Sequence, residues 1–215
     1  MRIKKFGATI LGIFLFLFVT VGMASAFSVD LTYPNDPGLS TMTYATVTGT
    51  VDTNNSDIFH FTVDLAPGLS TTLNGGSNFG FDKFFFNSDL NIASSMIDNL
   101  NPTGFNTISY NKDAGGFGKF DVELANPGTR TDSLSFDIVY TSAVTEADFL
   151  LLSDGNAGNG NGQFAAHIAG FDYNNVGSTF VRDGGGVAPT PEPSTLLLLG
   201  SGLVGLFLYR RRVRV

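Results

Sequence analysis

The feature that most limits how this chain can fold is a repeated alternation of apolar and polar residues. The segment IFHFTVDL, residues 58–65, places its apolar side chains on one face and His60, Thr62 and Asp64 on the other. The same period of two recurs in STMTYATVTGTV at 40–51, FGKFDVEL at 117–124 and LSFDIVY at 134–140. Because side chains alternate between the two faces of a β-strand, these segments are predicted to be half-buried strands.

Turn-forming sequences separate the alternating segments. DTNNSD, APG, NGGSN, NPTG, DAGG and ANPGTR are rich in Asn, Asp, Gly and Pro, the residues that favour turns. Short strands between such turns predict an antiparallel all-β domain. One apolar and one polar face per strand favours a two-sheet β-sandwich, filled by the 16 of 21 phenylalanines that lie in residues 27–187. Two short helices are expected, at 94–100 and at the start of 145–152.

Charge and cysteine content exclude several classes of function. The central region, 27–187, has five basic and eighteen acidic side chains and so carries a net charge of −13. This argues against nucleic acid and anionic lipid as partners, since both are themselves anionic. The chain contains no cysteine, which excludes disulfides, thiolate metal sites and a cysteine nucleophile.

The N-terminal region has the three parts of a secretory signal. Basic residues within the first five positions precede an apolar stretch at 6–21, which leads to Ala24-Ser25-Ala26. Small residues two positions apart are the pattern that signal peptidase cleaves. We therefore predict a signal peptide over 1–26, cut after Ala26. An uncleaved anchor helix is the alternative, because the apolar stretch is rather long.

The C-terminal region predicts a short single-pass transmembrane helix. Residues 196–209 carry no charge and would span about 21 Å as a helix, against a hydrocarbon core of about 30 Å. The cluster Arg210, Arg211 and Arg212 follows directly and favours a cytoplasmic C-terminus with the central region outside. The glycine- and proline-containing stretch 183–193 is interpreted as a flexible tether.

Three consecutive features of this region resemble a known sorting signal. Pro191, Glu192 and Pro193, the apolar run and the arginine cluster, in that order, are similar to the PEP-CTERM signal of Gram-negative bacteria that make extracellular polysaccharide. The resemblance implies export, temporary membrane retention, and processing near Pro191-Glu192-Pro193 by the membrane enzyme exosortase. The domain boundaries expected are a signal peptide at 1–26, a body at 27–187 and a sorting signal at 188–215. The segment 149–171 also resembles one that recurs before the tether in such proteins, whose bodies mostly lack a known activity.

Candidate chemistry in the body is sparse. His60 and His167 are the only histidines, and neither has a sequence neighbour that would complete a zinc site or a catalytic base. Asp154 and Asn156, spaced for oxygen ligation in the loop SDGNAGNGNGQ, are weak candidates for calcium. Ordinary turn formation is the competing interpretation.

These observations predict an exported surface or extracellular-matrix protein whose body is not an enzyme and needs no cofactor, calcium excepted. The alternative is a polysaccharide- or calcium-binding module. The body has no Trp and only five Tyr, which leaves few aromatic platforms for sugars. An extracellular hydrolase is a third hypothesis.

Overall fold

The computed structural model describes residues 26–155 and 157–185, together with Gly202. Ten strands account for most of the described chain. They are β1 (Ala26–Pro34), β2 (Ala45–Val51), β3 (Ile58–Leu65), β4 (Gly75–Phe86), β5 (Ile97–Asn101), β6 (Thr107–Asp113), β7 (Lys119–Ala125), β8 (Ser133–Val139), β9 (Phe164–Tyr173) and β10 (Val176–Asp183). One short α-helix, Leu69–Thr72, and two 3-10 helices, Ser94–Met96 and Glu146–Phe149, lie between them. The all-β prediction is confirmed.

The alternating segments form strands with the expected faces. In β3, Phe59, Phe61 and Val63 are buried, whereas Asp64 on the opposite face is exposed. The alternation predicted this pattern because a half-buried strand must segregate its apolar side chains. The helix expected at 94–100 is largely wrong, since a single 3-10 turn there gives way to β5. The helix expected at the start of 145–152 is present as a 3-10 turn.

All ten strands belong to one antiparallel sheet with the order β5-β8-β3-β2-β1-β10-β9-β4-β7-β6. The strands therefore do not form the two separate sheets that a sandwich requires. Hydrogen bonds between β1 and β10, the first and last strands, join the two halves, with Leu31 opposite Asp183. This pairing brings together segments about 150 residues apart, for which local alternation gives no signal.

The sheet curls so that its two halves face each other across a phenylalanine core. Phe61 of β3 lies 5.4 Å from Phe86 of β4 between ring centroids, although these strands are not neighbours in the sheet. Phe136 of β8 likewise lies 6.1 Å from Phe84 of β4. The prediction that phenylalanines fill the interior is confirmed, and the inner face resembles the interior of a sandwich although the sheet is continuous.

A smaller apolar cluster lies apart from this core. It consists of Phe85, Ala114, Phe117, Phe120 and Ala165, with the half-buried Phe180 packed against it. Phe85 alternates with Phe84 and Phe86 and so points away from the main core. The loop that joins β6 to β7 contributes Ala114 and Phe117 and covers Phe85.

Within the described ranges, no helix is long and apolar enough to cross a membrane. The two terminal helices of the sequence prediction fall outside those ranges, in residues 1–25 and in most of 186–215.

Candidate functional sites

Most of the predicted sorting residues lie outside the described part of the chain. These are Ala24, Pro191, Glu192, Pro193, Arg210, Arg211 and Arg212. Ala26 is described and begins β1, where it lies opposite Thr50 of β2. Phe27, the predicted first residue after signal cleavage, is 3% exposed and packs in the core. Cleavage after Ala26 stays a prediction.

The predicted calcium loop is only partly described. Asp154 is exposed, and its main chain exchanges hydrogen bonds with Lys119 at 2.8 and 2.9 Å. Asn156 lies outside the described residues. The part of the chain that is described contains no group of three His, Cys, Asp or Glu side chains placed to hold a metal ion. Calcium binding by Asp154 and Asn156 therefore stays a prediction.

The same loop is fastened to the end of β10 by a buried carboxylate. Asp183 is fully buried, and its Oδ1 accepts hydrogen bonds from the backbone N–H groups of Gln163 at 2.7 Å and Phe164 at 3.0 Å. Its Oδ2 accepts one from the N–H of Gly185 at 2.8 Å. The first residue of the predicted tether is thus a fixed part of the body, and the tether begins after it.

His60 lies between two carboxylates. Its Nδ1 is 2.5 Å from Asp137 Oδ1 on β8, and its Nε2 is 3.0 Å from Asp52 Oδ2 in the turn before β3. Asp137 also accepts a hydrogen bond from Asn99 Nδ2 at 2.6 Å. Asp52 Oδ1 accepts hydrogen bonds from the backbone N–H groups of Asn54 and Asn55. Both ring nitrogens of His60 therefore contact a carboxylate, and neither is free to reach another group in this arrangement.

The carboxylates shift the titration of this cluster. Hydrogen bonds to Asp137 and then to Asp52 raise the pKa of His60 above its ordinary value of 6.5, against a smaller opposing effect of burial. The hydrogen bond from His60 and those from Asn54 and Asn55 lower the pKa of Asp52. In each case, the hydrogen bonds that cause the pKa shift stabilise the charged form of the group.

His167 belongs to a second, more enclosed cluster. Its Nδ1 lies 2.7 Å from Asp82 Oδ1, and its ring centroid lies 4.5 Å from that of Phe180. Arg130 Nε approaches Asp82 Oδ2 at 3.5 Å. Burial acts to raise the pKa of Asp82, but the hydrogen bond from His167 and the charges of His167, Arg130 and Lys83 outweigh it, so the net shift is downward.

Two open grooves, of about 490 and 520 Å³, lie on the described part of the chain. The first is bordered by the short helix Leu69–Thr72 and by Arg130. The second contains Tyr110, whose side chain is 46% exposed, among the polar residues Asn91, Asn111 and Asp121. Neither groove is lined by a histidine, but Arg130 of the Asp82 cluster borders the first groove.

Sequence reasoning placed His60 on a strand but missed the partners of both histidines. His60 and Asp137 are 77 positions apart, and His167 and Asp82 are 85 apart. The available signal was that His60 and Asp137 each occupy the polar face of an alternating segment. Which strands pair, and in which register, was needed to bring them together.

The comparison with protein families finds one match, to the PEP-CTERM protein-sorting motif, over residues 189–212. No curated protein and no solved structure matches the chain. Three residues separate the matched segment from Gly185, the last described residue of the body.

A PEP-CTERM motif implies an exported protein that is anchored in a membrane before it is processed. Residues 189–212 carry the PEP-CTERM protein-sorting motif. The predicted resemblance is confirmed for this segment, and it assigns exosortase as the processing partner. The match does not extend to the body.

Proposed function

We propose that this chain is a non-enzymatic protein of the cell surface or extracellular matrix, delivered there by exosortase. The observation that carries the proposal is the sorting motif at residues 189–212, which follows the described body after only three residues. On this proposal, signal peptidase cuts after Ala26 and the body crosses the membrane. The tail at 196–215 then holds the protein until it is cut near Pro191-Glu192-Pro193.

Each part of the tail has a physical role on this proposal. The arginines resist transfer through the hydrocarbon core and stop export. The two prolines disfavour helix and keep the chain extended, which suits it to the cleft of a processing enzyme. Glu192 adds a charge that opposes sliding of this segment into the membrane. The apolar run is short for a permanent span, consistent with temporary retention.

The geometry of the histidines supports a non-enzymatic body. A general base needs a nitrogen free to reach a substrate proton, whereas both nitrogens of His60 contact carboxylates. His167 directs Nδ1 to Asp82 and packs its ring against Phe180. Turnover of a glycan or ester substrate by the purified body would contradict this assignment and favour the hydrolase hypothesis.

Replacing Pro191, Glu192 and Pro193 by alanine tests the sorting mechanism. Export should continue, because the signal peptide is unchanged, but release from the tail should stop. A matched control replaces the flanking Thr190, Ser194 and Thr195 by alanine and should leave release intact. Mass spectrometry of wild-type extracellular protein should find residues 196–215 absent. An intact tail on extracellular protein from cells that possess exosortase would show that the segment is a permanent anchor.

One observation favours a second function, polysaccharide binding. Tyr110 is an exposed ring in a groove that also contains Asn91, Asn111 and Asp121. An aromatic face with adjacent amide and carboxylate groups suits a sugar, which presents both C–H and hydroxyl groups. Exopolysaccharide purified from the producing cells should raise the thermal midpoint of the protein if it binds the native state. Tyr110→Ala should abolish the rise and Tyr110→Phe should retain it.

The calcium hypothesis has its own test. Melting the protein with calcium and with a chelator should give different midpoints if the ion binds the native state. Asp154→Asn should remove the difference, whereas Asp64→Asn, an exposed carboxylate on β3, should not. Equal midpoints with calcium and chelator would leave turn formation as the role of the loop.

A further inference from the structure

Exposed apolar side chains gather where the tether leaves the body. Leu152 is 51% exposed, Leu151 is 37% exposed and Tyr33 is 43% exposed. A Cβ placed on Gly185 would lie 3.8 Å from Leu152, and one placed on Gly184 would lie 3.4 Å from Tyr33. Leu152 and Tyr33, two of the five large apolar side chains that the described residues expose, therefore lie at the exit of the tether, and the exposed Leu151 is next to Leu152 in the chain. We call Tyr33, Leu151 and Leu152 the exit patch.

The main chain beneath the two leucines is held by buried amide side chains. Asn87 Nδ2 donates to the carbonyl of Leu151 at 3.1 Å, and Gln163 Nε2 donates to the carbonyl of Leu150 at 2.7 Å. The N–H of Ser153 donates to the carbonyl of Gly162 at 2.8 Å. Since Asn87 and Gln163 are themselves buried, the leucines are presented outward on a fixed backbone.

Tyr33 and Arg182 give the exit patch an amphipathic edge. The Arg182 guanidinium lies 4.8 Å from the centre of the Tyr33 ring, and its Nε donates to the carbonyl of Asn159 at 3.2 Å. Tyrosine and arginine join apolar bodies to polar ends, which is the combination favoured at a membrane–water boundary. A rim of this kind beside exposed leucines fits the interface of a bilayer.

The chain beyond the body is too short to let the exit patch move far from the membrane. Ten residues separate Gly185 from Leu196, where the apolar run begins. As a coil these residues span roughly 17 Å, and fully extended about 35 Å. A body of this size is roughly 40 Å across, from a radius of gyration of about 15 Å. On the proposed membrane-anchored stage of sorting, a linker this short keeps the exit patch within reach of the membrane surface.

We propose that the exit patch docks the body onto the bilayer interface while the tail is anchored, with Leu151 and Leu152 inserted among the lipid headgroups. The proposal rests on the proposed membrane-anchored stage of sorting. Its partner is a neutral, zwitterionic lipid surface, because the acidic body, with a net charge of −13 in residues 27–187, is repelled by anionic lipid. Apolar burial drives the docking without help from charge.

Docking of this kind is self-limiting. A short flexible linker gives a local concentration on the order of millimolar, so contacts too weak to hold a free protein are occupied while the linker is intact. Once the tail is removed, the local concentration is lost and the body dissociates. Two leucines and a tyrosine thus hold the body at the membrane before processing and do not retain it afterwards.

The absence of cysteine from the sequence allows a direct test with single spin labels. The full chain carrying Leu152→Cys is labelled and reconstituted in phosphatidylcholine vesicles. A matched chain carries Ser178→Cys, an exposed position on β10 five residues before Asp183 and so about 17 Å further along the strand. For each label, the accessibility to oxygen is divided by the accessibility to a water-soluble nickel complex. We expect this ratio to be several-fold higher for the label at 152 than for the label at 178. Leu151→Ser should reduce this ratio, and cleavage of the tail should abolish it.

The outcomes separate docking from anchoring. Chains that co-float with vesicles but give equal accessibility ratios at 152 and 178 would overturn docking and leave anchoring intact. Chains that fail to co-float would overturn both. Equal thermal midpoints for the unlabelled variants would show that folding is unaffected. A label on Leu151→Cys repeats the accessibility measurement at a second position.

Discussion

The inner and outer faces of the curled sheet are stabilised in different ways. Phe61, on the inner face, has six phenylalanine rings within 6.3 Å of its own centroid. The strand residues on either side of it point outward, and one of them, His60, is held by two carboxylates. Alternation along a single strand thus separates a non-titrating, packed interior from a charged surface. We expect mutations inside to change stability most and changes of pH to act mainly outside.

The largest effect expected is from Phe61→Ala. Removing a fully buried ring deletes its transfer free energy and leaves a cavity, which costs about 3–5 kcal/mol in the free energy of unfolding. Phe180→Ala, which truncates a half-buried ring of the smaller cluster, should cost less. Urea unfolding of the two variants measures both. Equal losses would show that the smaller cluster is as important as the core.

Asp82→Asn should have the next largest effect. Asp82 accepts a hydrogen bond from His167 and pairs with Arg130 at a site where its side chain is only 18% exposed. Loss of a charged hydrogen bond in such a site costs about 1.5–3 kcal/mol. The matched change Asp64→Asn, at an exposed position, should stay within about 0.5 kcal/mol of wild type. A cost for Asp82→Asn no greater than that control would mean that the Asp82 cluster does not contribute to stability.

His60→Gln should cost less than Asp82→Asn. The His60 side chain is 40% exposed, and partly solvated ion pairs contribute up to about 1 kcal/mol. The comparison is made at pH 6, where the imidazole is charged, by urea unfolding. Thr62→Gln, on the same face of β3, controls for the new amide. If His60→Gln lowered the free energy of unfolding more than Asp82→Asn does, the more exposed cluster would be the more important one for stability, contrary to this prediction.

The smallest effect is the pH dependence that His60 produces. Its pKa is raised in the folded state, so its contribution is complete below about 6.5, the value for an unperturbed histidine, and is lost as the pH rises through the folded value. The thermal midpoint of wild type should therefore fall relative to that of His60→Gln between pH 6 and pH 9. Parallel pH profiles of the thermal midpoint for the two proteins would show that the carboxylates do not raise the pKa of His60.

The carboxylates act at the opposite end of the pH scale. Folding lowers the pKa of Asp82 and of Asp52, so their contributions are complete above about 3.9, the ordinary value for aspartate, and are lost as the pH falls through the folded values. Between these two limits His60, Asp52 and Asp82 all contribute to stability in their charged forms. Maximum stability is therefore expected in mildly acidic solution.

The sequence by itself determined four of the ten described strands, the faces of these strands and the sorting segment. Residues 58–65 were predicted as a strand with Phe59, Phe61 and Val63 inward, and β3 has these bounds and this burial. Such features are local, because a period of two within eight residues suffices to define them. The sorting motif is also local, since its three parts follow one another over residues 189–212.

Tertiary structure alone decided which strands meet. Alternation is the same whether a strand belongs to one sheet or to two, so it could not reveal that β1 pairs with β10 and makes the sheet continuous. The same pairing brings Tyr33 beside Arg182 and Gly184, and pairing of β3 with β8 brings Asp137 to His60. These contacts depend on register between distant segments, which is fixed by burial of the whole inner face and not by any one segment.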